Sequence, residues 1–382
     1  MNRPFMKSLF AGTLQTLHDR VLESGFCHTS FGECGDVRCY GNSHYPRDAA
    51  ECARALALTG TPETALRILQ FNMELVGERR YVPHVAAADK SITHDNIQTD
   101  TLAHNVLALE TCFNAGAEEA ELAALYQRMT QLARWLWEDH FHSSHDLLDS
   151  GNYNEQGFHG SREPLLDMFS NASCFAMYEA LARLAEQIGT AVEKSEFASC
   201  AARLADGIET HLRDRERNIY RPAVRPSGEF KFPLNWLSFY PVRWYSPDMI
   251  PYCNVLDLLW ESSCNDWYGL QIPSCEEPGY TYRTMGKVMA VLLSFTARLG
   301  QKKRLDTLLD FIEKTVRKPE NIWPEYWFHH DPPDDEYHRW FFSEYKAWTP
   351  FVTNPDGDHT VDSGNCEQSA VFIAEYLPFI NK

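Results

Sequence analysis

Long apolar runs are missing from this sequence. No stretch approaches the roughly 18 residues that a membrane-spanning helix needs. Nor does an apolar segment of about 7–15 residues lead to a small-residue cleavage site near the start, so no secretory signal is expected. Positive charge is short as well: 35 Lys and Arg stand against 53 Asp and Glu, a net charge of −18. Phosphate backbones and anionic lipid surfaces both need a basic face, so neither a nucleic acid nor a membrane is an expected partner. The 11 cysteines form no CxxC pair, which argues against a zinc ribbon. Without a signal, reduced thiols and a cytoplasmic location are expected. No GxGxxG, Walker-type glycine loop or GxSxG occurs, which removes the common nucleotide-binding and serine-hydrolase readings.

What is present is apolar and aromatic. Apolar residues make up 44% and charged residues only 23%, enough for a large core and against disorder. The 10 Trp, 17 Tyr and 22 Phe amount to 13%. Acidic, aromatic-rich sites suit neutral ring-shaped ligands, of which sugars are the obvious class. Eight of the ten Trp lie after residue 230, mostly beside Asp or Glu in loops, which suggests the lining of a sugar funnel more than core filling.

Helical periodicity recurs about eleven times: Phe5–Glu23, Ala49–Leu58, Glu63–Val76, Thr99–Asn114, Glu118–Asp139, Ser173–Ile188, Ala191–Leu212, Ile250–Ser262, Arg283–Leu299, Lys302–Thr315 and Cys366–Leu377. Tight Gly-containing turns such as Leu58–Pro62 and Ile188–Thr190 join helices into pairs. Long loops (Gly77–Gln98, His140–Asn171, Asp214–Met249, Glu320–Asn365) lead from pair to pair. One hairpin, Ile219–Val224 with Phe230–Phe232, is the only strand signal. A solenoid shares this rhythm, but its loops are short and regular. Loops this long are usually functional. The expected fold is therefore all-α, an (α/α)6 toroid over residues 1–382 as a single domain, with the long loops forming a funnel on one face.

Four clusters could carry chemistry. Tyr45-Pro46-Arg47-Asp48 opens a helix, where a first-turn carboxylate also suits the dipole. His94 to Asp100 enters the next inner helix, where Asp95 or Asn96 could be a simple cap. Asp149 to Phe158 is a loop carrying Glu155 with no apolar period to explain it. The C-terminal region holds Trp323-Pro324-Glu325-Tyr326-Trp327, then Glu344 between aromatics, then Cys366-Glu367-Gln368. Carboxylates flanked by aromatics can be driven to raised pKa values by desolvation. Cys27, Cys34 and Cys39 share one loop, with no assigned role. The His runs (His140, His142 and His145; His329 and His330) match no tight zinc motif, so no metal and no cofactor are expected.

Taken in order, the clusters resemble the six-hairpin (α/α)6 glycosidases: glucoamylases, amylo-1,6-glucosidases of the debranching type and, more distantly, trehalase. "HYPRDAAECARALALTGTPETALRILQF" is similar to their R-D segment and its helix pair, implying that Arg47 and Asp48, beside Tyr45, hold sugar hydroxyls. "DNIQTDTLAHNVLALE" is similar to the next inner helix, bringing in Asp95 and Gln98. "DSGNYNEQGF" is similar to the acid-bearing loop, which implies Glu155 as general acid and Asp149 nearby. "YTYRTMG" partly matches a Y-R-G segment, adding Tyr282 and Arg283. "FSEY" and "GNCEQSAVFIAEYL" resemble the S-E…G-C-x-x-Q ending. This implies Glu344 as the base and Gln368 as a sugar ligand, with Glu325 as the competing base.

The expected activity is an inverting exo-acting glycoside hydrolase on α-glucosides or related oligosaccharides, with Trp236, Trp267, Trp323 and Trp327 stacking on the sugar. Two alternatives stand beside it. One is a sugar epimerase or isomerase working through His pairs (candidates His94, His330 and His359). The other is a non-catalytic carbohydrate-binding protein. The sugar, the linkage and the oligomeric state are not legible.

Overall fold

A computed structural model describes residues 3–29, 43–151, 165–228, 234, 236–263, 283–316, 323–324, 326–329, 351–353, 359–362 and 365–380. Its helices are α1 (Pro4–Asp19), α2 (Pro46–Leu58), α3 (Pro62–Val76), α4 (Thr99–Asn114), α5 (Glu119–His140), α6 (Met168–Ile188), α7 (Ala191–Gly207), α8 (Ile250–Ser263), α9 (Gly286–Arg298), α10 (Lys302–Thr315) and α11 (Cys366–Tyr376).

Burial divides these helices into two rings. α9 buries nearly every residue, from Gly286 through Thr296, and α2, α4, α6 and α11 are buried almost all round. α7 buries only Phe197, Ala201, Leu204 and Gly207, and α1 and α10 bury a single stripe. A helix buried on all sides belongs inside; a striped one covers it. The inner elements close a circle: α11 packs on α2, α2 on α4, α4 on α6 and α11 on α9. The sixth inner position holds two 3-10 turns, Trp236–Ser238 and Tyr240–Arg243, which bridge α6 and α9. Outside, Arg3 at the start of α1 pairs with Asp310 and Glu313 of α10, joining the first outer helix to the last.

Short turns carry the chain from each inner element to the next outer helix, so the long connections all lead into inner N-termini. Several hold small antiparallel ribbons. β1 (Pro83–Ala86) pairs with β2 (Ile92–Ile97), and β3 (Phe141–His142) pairs with β4 (Leu147–Leu148). β5 (Leu166–Asp167) pairs with β8 (Ala223–Val224), while β6 (Arg213–Asp214) pairs with β7 (Ile219–Tyr220). β9 (Arg283–Met285), β10 (Tyr326–His329), β11 (Phe351–Thr353) and β12 (His359–Asp362) form a four-stranded sheet in the order β11-β12-β10-β9.

The all-α toroid expected from the sequence is thus present, with corrections in its connections. The stretch 219–224 is two short strands with different partners; Ile219–Tyr220 turns back on Arg213–Asp214, and the 230–232 half of the expected hairpin lies outside the described residues. α6 begins at Met168, five residues earlier than its apolar period suggests, because Asp167 caps it by accepting the Ser170 N–H at 2.7 Å. α9 begins at Gly286, since Arg283–Met285 is drawn into the sheet. A Cβ at Gly286 would lie 2.1 Å from the Pro324 carbonyl oxygen, so only glycine lets α9 start against that segment.

Candidate active site

The first turns of α2, α4, α9 and α11 meet at one end of the inner ring. Each delivers charge there, because a residue just inside an inner N-terminus points into the axis of the toroid. Arg47 is the hub. Its Nη1 lies 3.5 Å from Asp100 Oδ2, and its Nε lies 3.5 Å from Asp48 Oδ1 and 3.7 Å from Glu367 Oε1. Lys287 donates from Nζ to both Glu367 oxygens, at 3.0 and 3.2 Å. Gln368 donates to Glu367 Oε2 at 3.2 Å, and its own carbonyl accepts the Lys287 backbone N–H. Asn365 caps α11 by accepting the Glu367 N–H at 2.7 Å and reaches Asp48 Oδ2 at 3.5 Å.

Asp48, Asp100, Lys287 and Glu367 are each no more than 5% exposed. Three carboxylates face two cations there. Burial, and then the neighbouring charge of Glu367, holds the Asp48 carboxyl well above the usual carboxylate range. The site can therefore present a protonated carboxyl beside ionised groups.

Below this floor lies a second buried layer. Arg243 makes a two-pronged bond to Glu51 (Nη1–Oε1 3.0 Å, Nη2–Oε2 3.1 Å) and also donates to Glu375 at 3.0 Å and to the Tyr240 hydroxyl at 2.7 Å. His104 Nδ1 is 2.9 Å from Glu51 Oε1, while its Nε2 lies 3.9 Å from Asp100 Oδ2. His104 thus links the two layers. Burial pushes the Glu51 carboxyl up, but the Arg243 charge and the His104 bond outweigh it and hold Glu51 well below its ordinary value. The Phe169 ring packs among His104, Trp236, Tyr240 and Trp244 and fixes this layer sideways.

The residues singled out from sequence divide into several groups. Arg47, Asp48 and Gln368 converge on the floor. Tyr45 stands at its edge, ring to edge with His84 at 5.3 Å. Gln98 is buried at the entry of α4, where its backbone bridges to Gly151. Gly151 has φ +74°, and a Cβ there would meet the Ile97 carbonyl oxygen at 2.7 Å. Trp236 is buried with Lys287 Nζ 5.1 Å above its ring, so its face is taken by a cation.

Asp95 does not join the floor. It lies half exposed on β2, held by two prongs of Arg79 at 2.9 Å. Asp149 accepts from His140 at 2.8 Å and His142 at 2.9 Å and from the Gly151 N–H at 2.8 Å. Burial works against its ionisation, yet these bonds leave its pKa lowered, which suits an anchoring carboxylate and not a proton donor. Trp323 and Trp327 are corrections. Both are fully buried; Trp323 stacks on Phe372 at 4.1 Å and 3°, and Trp327 donates from Nε1 to Thr315 at 2.8 Å. Their faces fill core and are not free to stack on a sugar. Glu155, Glu325, Glu344, Trp267, Tyr282 and His330 lie outside the described residues, and Arg283 and His359 are described only through their backbone strands.

Sequence reasoning missed Glu51, His104, Arg243 and Lys287, and it placed Asp100 and Glu367 within its clusters without giving them a role. For Lys287 a signal existed: it is the lone charge in "GKVMAVLLSF", a run buried on every face. Such a charge must find a buried partner.

Solved structures with this architecture are numerous. A wild-type glycosidase superposes with a TM-score of 0.69 at 12% identity, covering 97% of this chain and 96% of its own. The chain has the six-hairpin (α/α)6 fold. The cellobiose 2-epimerase of Bacillus thermoamylovorans shares the toroid at TM-score 0.67 and 10% identity, over 98% of this chain and 99% of that one. So does a family 63 mannosylglycerate hydrolase of Thermus thermophilus solved with glucose, at 0.65 and 13%, over 96% and 99%. No protein-family model and no curated protein matches the chain. At these identities the likeness is one of fold. No helix among the described residues is long and apolar enough to cross a membrane.

Proposed function

We propose that the chain is a glycoside hydrolase acting on a small carbohydrate, the whole of residues 1–382 forming one catalytic toroid in the cytoplasm. The observation that carries this reading is the convergence of Arg47, Asp48, Asp100, Lys287 and Glu367 at the N-terminal end of the inner ring. A sugar offers many hydroxyls at fixed angles. A floor of alternating fixed donors and acceptors matches it and needs no reorganisation on binding. The similarity to glycosidases, two of them solved with glucose, supports the same class.

In the inverting mechanism Glu155 protonates the glycosidic oxygen, and Glu344, with Glu325 as the competing candidate, deprotonates a water on the opposite face of the ring. Room for that water requires carboxyl groups about 6.5–9.5 Å apart. Arg47 and Asp48 hold the non-reducing sugar between them. α-Glucosides and related oligosaccharides are the substrates to try first. Glu155→Gln and Glu344→Gln, assayed on a glycoside panel, are each expected to lose at least a hundredfold in kcat, of the order general acid–base catalysis supplies. Full residual activity in both sinks the assignment.

Epimerisation of a free sugar is the second reading, favoured by the likeness to cellobiose 2-epimerase and by a buried histidine, His104, beside the floor. A reducing sugar converted with no glycosidic bond cut decides for it.

A further inference from the structure

Three cysteines from distant parts of the chain meet beneath the charged floor. Cys27 follows α1, Cys52 lies in the middle of α2, and Cys366 opens α11. All three are at most 1% exposed, and their sulfurs lie within 4.8 Å of one another. The other described cysteines, Cys112, Cys174, Cys200 and Cys253, belong to no such group among the described residues.

The backbone around the cluster is tied down. The Cys27 N–H donates to His44 Nδ1 at 2.9 Å, and the Cys366 N–H donates to the Thr29 carbonyl at 2.8 Å. The same carbonyl accepts from the Arg20 guanidinium, which is 2% exposed. A buried cation beside three thiols is not what apolar filling requires. It is what an anionic sulfur cluster requires.

We infer that Cys27, Cys52 and Cys366 form a binding site for a thiophilic divalent d10 cation, of which Zn2+ is the type. With metal–sulfur bonds of about 2.3 Å, a trigonal or tetrahedral site has sulfur–sulfur edges of about 3.8–4.0 Å. The three thiols therefore need to close by less than about 1 Å. Binding exchanges protons for metal: three S–H bonds lose their protons to solvent and three metal–sulfur bonds form, with no change of oxidation state. The ion would cross-link the segment after α1 to α2 and α11. Since Cys366 adjoins Glu367 of the floor and Cys52 adjoins Glu51 of the layer below it, the ion would pin the first turn of α11 against the middle of α2.

The test uses the full-length reduced protein and Zn2+ alone. The expected results are one zinc per chain retained through gel filtration and release of up to three protons per zinc in weak buffer. X-ray absorption should then show a shell of three sulfurs at about 2.3 Å. Cys52→Ser should abolish retention while Cys174→Ala leaves it intact. The absorption measurement needs no variant, so a Cys52→Ser protein that fails to fold does not block the test. No retained zinc, a shell without sulfur, or retention unchanged in folded Cys52→Ser overturns the site.

Discussion

Replacing Lys287 by methionine probes the floor most sharply. The ammonium is 1% exposed and sits 3.0 and 3.2 Å from the two oxygens of Glu367, itself 2% exposed. Methionine keeps most of the volume and removes the charge. Glu367 then keeps Gln368 at 3.2 Å and Arg47 at 3.7 Å, the latter already shared with Asp48 and Asp100. Removing one partner of a buried pair costs about 3–5 kcal/mol, mostly through the charge left behind. The ammonium also lies 5.1 Å over the Trp236 ring and 5.7 Å over Phe169, contacts that add up to about 2 kcal/mol when desolvated. Glu367→Gln should cost a similar amount for the mirror reason. The double variant removes both charges of the pair, so it should be far more stable than the sum of the two losses implies. The assay is denaturant unfolding of the four proteins at fixed pH, with the cycle closed by subtraction. A coupling of about 1–3 kcal/mol is expected for groups in direct contact. If the double variant loses the full sum, the ion pair is not the buried unit described and the account of the floor fails.

Other outcomes follow from the same geometry. His44 is buried, accepts the Cys27 N–H on Nδ1 and donates from Nε2 to Asn72 Oδ1 at 2.6 Å; burial, more than any other influence, lowers its pKa from 6.5 to about 4. Because the unfolded chain binds that proton more readily, stability is whole above about pH 6.5 and falls as the pH drops towards 4. The loss is about 3 kcal/mol in all, at 1.36 kcal/mol per unit, and pH-dependent melting of wild type against His44→Gln should show the window only in wild type. Asp48, held high by burial and by Glu367, has the opposite sign: its ionisation costs stability as the pH rises above the unfolded value of 3.8. Asp48→Asn should therefore melt higher than wild type at pH 7, with the gap closing towards pH 3.8, while glycoside turnover is lost. Trp323→Ala should cost about 3–5 kcal/mol as a core cavity, with KM unchanged in the folded protein; a raised KM would return that ring to the sugar site. Asp95→Asn, which breaks an exposed pair with Arg79, should change stability by less than about 1 kcal/mol and leave turnover intact.

The rhythm of the fold was readable because tight turns and long loops leave different residue signatures. Gly60 and Pro62 close α2 onto α3, and Thr190 builds a capping box with Glu193 at the start of α7. What escaped is what local pattern does not encode. The ribbons in the loops are two to six residues long, too short for alternation to register, and the partners of Ile219 and Ala223 are set by the toroid around them. The sixth inner position carries no helical period because it is built from 3-10 turns at Trp236 and Tyr240. At the site, Arg47 and Asp48 stood out because they open a helix. Lys287 was passed over inside an apolar run, although a charge in such a run is the more informative signal. The tryptophans misled for a related reason. Trp323 has acidic neighbours in sequence, yet its neighbours in space are Phe372 and Trp327. Chain proximity to a carboxylate says little about which way an indole packs.

The central claim, that the polar floor serves glycosidic bond cleavage, meets its most direct test in proton NMR of the protein incubated with a glycoside panel, recorded from the first turnover. The account predicts that one glycoside is cleaved and that the first sugar anomer to appear is opposite to that of the substrate. A first-formed anomer that retains the substrate's configuration contradicts the mechanism; conversion of a free reducing sugar with every glycoside left intact contradicts the hydrolase.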